Sequence, residues 1–274
     1  MSIVSVNIKG GLGNQLFQIA AAYAYAAKEK GVLQILYKEN NGNRPVYWNT
    51  ILQKIHPYLV TSLPQGLEVW SEIYPTMYSE IGPLSNSGKY LIEYMQTSKY
   101  FYTDEIKKQI KRLFTPNEIL MNDIRTKYNY LMNRLDRIIV LHARRTDYVT
   151  FKEVHGPLEA SYYANAINIM MSLYTLSEPP IFLMCSDDQE YWNQISEEIS
   201  IVGQHEHYIL ATESDIVTFA LLQQCNKFIM SNSTFIWWCV WMSNAKNVIA
   251  PAKWFGPAGP TLYEDIYEPT WMRL

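Results

Sequence analysis

Two adjacent arginines stand beside a histidine and an aspartate in His142-Ala143-Arg144-Arg145-Thr146-Asp147-Tyr148, directly after the apolar run RIIVL. Arginine presents a planar fork of donors that matches phosphate oxygens. At the carboxyl end of a strand such a pair can receive an anion. An Arg-Arg pair can equally serve surface salt bridges, and placement alone balances the two readings. Asp147, Glu153 and His155 follow the arginines and are candidate proton acceptors. Ser186-Asp187-Asp188 follows a second apolar run, IFLMC. Small polar residues there suit a helix cap, and one carboxylate could instead bind a nucleobase edge or a ribose.

Two further segments join strand to helix. Ser231-Asn232-Ser233-Thr234 precedes Phe235-Ile236-Trp237-Trp238. Hydroxyl and amide residues at a helix N-terminus form an anion site, here Asn232, Ser233 and Thr234. Trp237, Trp238 and Trp241 read as core, with apolar neighbours all round. Gly10-Gly11-Leu12-Gly13-Asn14-Gln15 is a glycine turn that lets the backbone approach a ligand at Gly11, Gly13 and Asn14. It lacks the third glycine of a dinucleotide fingerprint, where Leu16 stands, and the Gly-Lys of a P-loop. His205-Glu206-His207 offers two imidazoles without a third ligand nearby, so no metal site is expected there.

The elements that position these residues alternate. Ile3–Ile8 reads as a strand, 14–30 as a helix and Val32–Tyr37 as a second strand. Residues 40–98, rich in Tyr, Pro, Asn and Gly, read as loops with short helices. Helices are expected over 104–114 and 117–131. Beyond them, strands over 137–141, 181–185, 207–210, 227–230 and 248–250 alternate with helices over 161–173, from 187, over 214–224 and over 233–244. Ser161 is a plausible cap for the first of these, and Ser214 or Thr212 for the third. Short apolar strands between helices imply parallel sheets covered on both faces. The fold class is α/β, in two Rossmann-like halves, 1–135 and 136–274. Ligands in such folds bind at the carboxyl ends of the strands, where each motif sits.

Composition is globular, with 48% hydrophobic and 18% charged residues among 274. The net charge of -3 carries no basic block and gives no sign of a nucleic-acid partner. Cys185, Cys225 and Cys239 lie in apolar stretches and read as buried reduced thiols of a cytoplasmic protein. No leader is expected at the start of the chain, and no run of about 20 apolar residues is present to cross a membrane. The protein is expected to be soluble, or at most peripheral at a membrane. The 21 tyrosines and 8 tryptophans suit both core packing and sugar rings.

GGLGNQLFQIAAAYA (10–24), MQTSKYF (95–101), HARRTDY (142–148), FLMCSDD (182–188), the segment 215–242 and VIAPAKWF (248–255) occur in this order. Together they resemble the motif series of glycosyltransferase family 11, the α-1,2-fucosyltransferases, over nearly the whole chain. The resemblance implies a GT-B-like fold with the donor site in the cleft. It implies residues 1–135 as the acceptor side and 136–274 as the nucleotide-sugar side. It further implies GDP-fucose as donor, a glycan acceptor, and no metal or other cofactor. Arg144 and Arg145 then bind the donor diphosphate, His142 and Asp187 or Asp188 lie near the guanine, and Ser233 and Thr234 on the phosphate side. Thr146 stands where the family often has Gly, and Ile236 where it usually has Ser. The related α-1,6-fucosyltransferases carry Arg-Arg-Thr-Asp. These departures bear on acceptor choice more than on donor class.

The implied reaction inverts the anomeric carbon in one in-line displacement. Fixed arginines stabilise the charge that develops on the leaving diphosphate. No Asp-x-Asp is present to hold a divalent metal for that purpose. The acceptor's proton goes to Asp147 or Glu153, with His155 behind them. The alternatives are a transferase of the same fold using another nucleotide deoxysugar, and a sugar-binding protein without turnover. A nicotinamide oxidoreductase is suggested by the glycine turn alone.

Overall fold

A computed structural model describes residues 2–42, 44–173, 178–196, 198–210, 213–243 and 245–274. Thr212, the alternative cap, and Asn244, the expected last residue of a helix, lie outside them. The chain forms two compact units, Met1–Asn117 with Leu262–Glu268, and Glu118–Thr261 with Pro269–Leu274. The division falls between Asn117 and Glu118 rather than near 135. Helix 118–127 packs on helix 215–222 of the second unit, which draws the boundary back toward the N-terminus.

The first unit holds a four-stranded parallel sheet. Its strands are β1 (Ile3–Val6), β2 (Val32–Leu33), β3 (Glu68–Trp70) and β4 (Lys89–Leu91), in the order β2-β1-β4-β3. Helix α1 (Leu12–Glu29) joins β1 to β2. β3 and β4 lie inside the segment read as loops, because three-residue strands carry no visible period. The expected strand 32–37 is two pieces, and Ile35–Leu36 pairs instead with Leu59–Val60. Gly10 takes φ +79, a left-handed conformation that favours glycine, and turns the chain from β1 into α1. Helix α2 (Asp104–Phe114) is capped by Thr103, whose hydroxyl accepts from the Ile106 amide.

The second unit opens with α3 (Glu118–Lys127), after which the expected helix breaks and resumes over Asn129–Met132. A six-stranded parallel sheet follows. Its strands are β5 (Ile138–Ala143), β6 (Ile181–Ser186), β7 (Glu206–Ile209), β8 (Lys227–Ile229), β9 (Asn247–Ala250) and β10 (Met272–Arg273). The order is β7-β6-β5-β8-β9-β10. Numbered within the unit, that is 3-2-1-4-5-6, the doubly wound Rossmann order, whose switch point lies between β5 and β8. Every residue of β5 is buried, as its continuous apolar run requires of a strand covered on both faces.

Helix α6 (Ala160–Ser172) covers one face of this sheet, packing Tyr163, Ala166, Ile167 and Met170 on Ile139, Leu141, Phe182 and Met184. Ser161 lies inside α6 and Glu159 precedes it, so no side chain caps this helix. Helix α7 (Tyr191–Ile195) starts four residues after Asp187, which therefore opens no helix. Helix α8 (Asp215–Leu222) is capped by Ser214. Helix α9 (Thr234–Met242) is apolar on all sides and buries Trp237 and Trp238 completely, as a helix without a polar face must. Among the described residues no helix is long and apolar enough to cross a membrane.

Candidate active site

The carboxyl ends of β5, β6 and β8 bring three of the four sequence motifs together within the second unit. β5 delivers His142 and then Arg144 and Arg145. β6 delivers Asp187 and Asp188. β8 delivers Ser231 to Thr234, and Ser233 caps α9 by accepting from the Phe235 amide. The first link crosses the switch point, where His142 Nδ1 shares a 2.8 Å hydrogen bond with Ser231 Oγ. The His142 ring is buried and stacks on Phe235 at 5.8 Å between centroids. Burial pulls its pKa down to about 3, and the Arg144 charge helps while Asp187 opposes, so the imidazole is neutral.

Asp187 organises the arginine loop. Its Oδ1 accepts from the Arg145 amide at 2.7 Å, its Oδ2 accepts from the Thr146 hydroxyl, and Oδ2 lies 3.3 Å from Arg144 Nε. Asp147 takes the Arg144 guanidinium in a fork, Nε to Oδ1 at 2.9 Å and Nη2 to Oδ2 at 3.0 Å. Burial disfavours the Arg144 charge, but the bonds to Asp147 and the fields of Asp187 and Asp147 outweigh it and raise its pKa. Asp188 turns away to a local role, accepting from the Glu190 amide, while its own amide donates to Ser186 Oγ.

Arg145 differs from its neighbour. Its guanidinium lies 4.4 Å over the Tyr191 ring and donates through Nη1 to the Leu158 carbonyl at 3.0 Å. Its Nε is buried without a partner, and no carboxylate among the described residues lies within ion-pair reach of it. The site therefore holds one arginine fixed between two carboxylates and one whose charge no carboxylate among the described residues neutralises.

The wall is built by Tyr148, His155 and Asn232. Tyr148 stacks on His155 at 4.5 Å and donates to the Asn232 carbonyl at 2.9 Å. Burial lowers the His155 pKa, with Asp147 opposing and Arg144 assisting. The buried Asn232 amide donates to the carbonyls of His155, Gly156 and Trp254, which ties the loop after the arginines to the end of β9. Glu153, on the short helix Lys152–His155, is exposed, and its side chain makes no hydrogen bond or ion pair among the described residues. Thr234 is half-buried in the first turn of α9.

Gly11, Gly13 and Asn14 belong to the first unit. A Cβ at Gly11 would meet open space, Gly13 is buried in α1, and Asn14 Oδ1 accepts from Gln96 Nε2 at 2.9 Å. His205 and His207 bond backbone carbonyls through Nδ1. Sequence reasoning missed three supports of the site. Tyr148 lies in the HARRTDY motif and was legible in principle. Tyr191 and Ser231 become partners only through the packing of separate strands, which spacing does not encode.

Residues 70–274 match the model of the family described as Glycosyl transferase family 11. Over its whole length the chain is 27% identical to an alpha-1,2-colitosyltransferase of Escherichia coli, 99% of which is covered. It is 22% identical to the Galactoside 2-alpha-L-fucosyltransferase SEC1 of Bos taurus, over 90% of this chain and 66% of that one. The fold resembles the crystal structure of fucosyltransferase NodZ from Bradyrhizobium, with a TM-score of 0.58 at 13% identity over 87% of this chain and 93% of that one. The mixed α/β architecture with parallel sheets is accordingly GT-B-like. The match over three-quarters of the chain, together with the motif order and the arginine loop at the switch point, makes this chain a member of glycosyltransferase family 11.

Proposed function

We propose that the protein transfers L-fucose from GDP-β-L-fucose to a sugar hydroxyl with inversion, forming an α linkage, and that the 2-hydroxyl of a terminal β-galactoside is the acceptor. The observation that carries this reading is the unequal arginine pair at the end of β5. Asp147 and Asp187 hold Arg144 in orientation, while the Arg145 charge has no carboxylate partner among the described residues. A diphosphate supplies the missing anion and matches the guanidinium fork. As the anomeric C–O bond lengthens, charge gathers on the departing GDP. Donors already fixed stabilise that state more than the ground state. The arginines take the part a divalent metal plays elsewhere, and no metal is required.

Of the two aspartates after β6, Asp187 lies on the nucleoside side, while Asp188 serves its local turn. Asn232, Ser233 and Thr234 form the phosphate-side wall at the start of α9, and His142 lies on the guanine side. Gly11, Gly13 and Asn14 form the ligand-approaching turn of the first unit, and that unit serves the acceptor. Asp147 is committed to Arg144 through both oxygens, so its role is positioning. Glu153, exposed and with no side-chain bond among the described residues, takes the acceptor's proton. Three buried free thiols fit a cytoplasmic setting.

The bovine relative's name supports fucose as the transferred sugar. The bacterial relative's name, which gives colitose as the transferred sugar, supports a second reading, in which the donor is another nucleotide deoxysugar. The deciding experiment measures GDP release from GDP-fucose in excess chelator across a panel of galactosides. Release that rises with a galactoside is expected. Release only from another nucleotide sugar would keep the arginine argument and discard fucose. Loss of activity in chelator, restored by Mn²⁺ or Mg²⁺, would overturn the metal-free mechanism.

A further inference from the structure

The first unit contains a buried carboxylate that the proposed reaction does not use. Glu72 follows β3 and is 7% exposed. Its Oε1 accepts from the Tyr94 amide at 2.8 Å and the Met95 amide at 2.9 Å, and its Oε2 from the Met95 amide at 3.0 Å. Met95 has φ +52, a left-handed conformation that is strained for a non-glycine residue. Its side chain is fully buried, so the corner is held from both sides. The next residue, Gln96, donates from its backbone to the Pro75 carbonyl at 2.7 Å and from Nε2 to Asn14 Oδ1 at 2.9 Å. Asn14 belongs to the glycine turn. A side chain leaving the end of β3 thus fixes the strained corner after β4, and that corner fixes the glycine-turn asparagine.

We infer that Glu72 is a positioning residue: its carboxylate holds the Tyr94–Met95 corner in the left-handed turn that aims Gln96 at Asn14. The inference rests on the reading of Asn14 as part of the transferase site. An ordinary structural carboxylate would be exposed or paired with a cation. Glu72 instead spends its acceptors on two backbone amides at one strained corner. Burial raises its pKa to about 8, with Glu93 adding to the rise and the two amides and Lys9 opposing it. The groups facing it are Lys9 and Glu93, themselves paired at 2.8 Å, and the buried Tyr100.

The test is a double-variant cycle on the full chain between Glu72→Leu and Gln96→Ala. Each single variant is expected to lower kcat/KM for transfer about 10-fold. The double variant should be no worse than the worse single, because residues acting through one another are not additive. Glu72→Gln keeps one oxygen to accept both amides and is expected to restore most of the rate. GDP binding, carried by the arginine loop, should stay within about twofold in every variant. Additive losses, or a Glu72→Leu protein with wild-type transfer, would overturn the inference. Where Glu72→Leu does not fold, hydrogen exchange at the Met95 amide in Glu72→Asp decides, because the shorter side chain cannot span both amides. Faster exchange there than at the β1 amides is expected, and unchanged protection would overturn the inference. A wild-type chain that fails to bind GDP would sink the transferase reading instead and leave the exchange result standing.

Discussion

Arg144 and Arg145 are adjacent in sequence yet occupy different environments, and their replacements should differ in kind. Arg145→Ala removes the guanidinium that no carboxylate neutralises among the described residues. It is expected to lower kcat/KM by about 100-fold or more, the scale of losing one preorganised donor. Arg145→Lys keeps the charge but loses the fork and the stacking on Tyr191, so it should recover only a minor part. Arg144→Ala should cost a similar factor and also leave Asp147 and Asp187 facing each other without their shared cation. Steady-state kinetics within a fewfold of wild type for both alanine variants would remove the arginines from the mechanism. His142 makes a separate prediction. Its pKa falls from an unfolded value of about 6.5 to about 3 in the folded chain, because burial excludes the charged ring. The unfolded chain therefore binds the extra proton first. The stability His142 contributes is complete above pH 6.5 and is lost as pH falls toward 3, with a slope approaching about 1.4 kcal/mol per pH unit. Urea titrations between pH 7 and 4 should show that slope in the wild type and a shallower one in His142→Gln. Equal slopes would mean that His142 takes up its proton without opening the site.

The elements behind these residues were legible to different degrees. β5, β6, β8 and β9 announce themselves as short apolar runs between helices, since a parallel strand covered on both faces admits no polar alternation. The same reasoning has no hold on β3 and β4, three residues each in a stretch rich in Tyr, Pro and Gly, nor on the exposed pair Met272–Arg273. Asp187 shows a second kind of limit. An aspartate after a strand carries the same local signal whether it caps a helix or grips a distant loop, and here it bonds the Arg145 amide 42 residues away. The segment carrying Glu153 and His155 depends on another element that its own sequence does not reveal. Gly256 and Gly259 pass directly over it, with the Gly256 amide on the Val154 carbonyl and the Ala258 amide on the Glu153 carbonyl. A Cβ at Gly256 would come within 2.6 Å of the Lys152 and Glu153 carbonyl oxygens, and backbone atoms cannot swing aside. Gly256→Ala should therefore push the 152–156 segment outward. Transfer is expected to fall about 10-fold or more while GDP binding changes little, because the arginines lie on the other side of α4 (Thr146–Thr150) in the chain. Loss of GDP binding in step with transfer would instead place Gly256 in general stability.

At the scale of the whole molecule, the site is drawn from elements with unequal stability. β5, β6 and β8 are buried throughout or nearly so, as are the residues that leave β8, whereas those that leave β5 and β6 are half-buried or exposed and held by side-chain bonds. A ligand that completes those bonds should stiffen the rim without altering the sheet. At a concentration of about 100 times its Kd, GDP is expected to stabilise the folded chain by about 2.7 kcal/mol, which raises the Tm by several degrees. Hydrogen exchange should localise the effect. Protection is expected in 144–158, in 186–191 and at the start of α9, with the amides of β5 and β6 already too slow to change. The comparison that matters is between GDP and free fucose. A diphosphate grip predicts the rim pattern with GDP and little with fucose, whereas a sugar-binding protein without turnover predicts the reverse. Protection that appears with GDP in Arg145→Ala at wild-type strength would mean that the arginine lies beside the ligand without holding it. In that case the guanidinium, half-buried against Tyr191 with no carboxylate partner among the described residues, would need another anion.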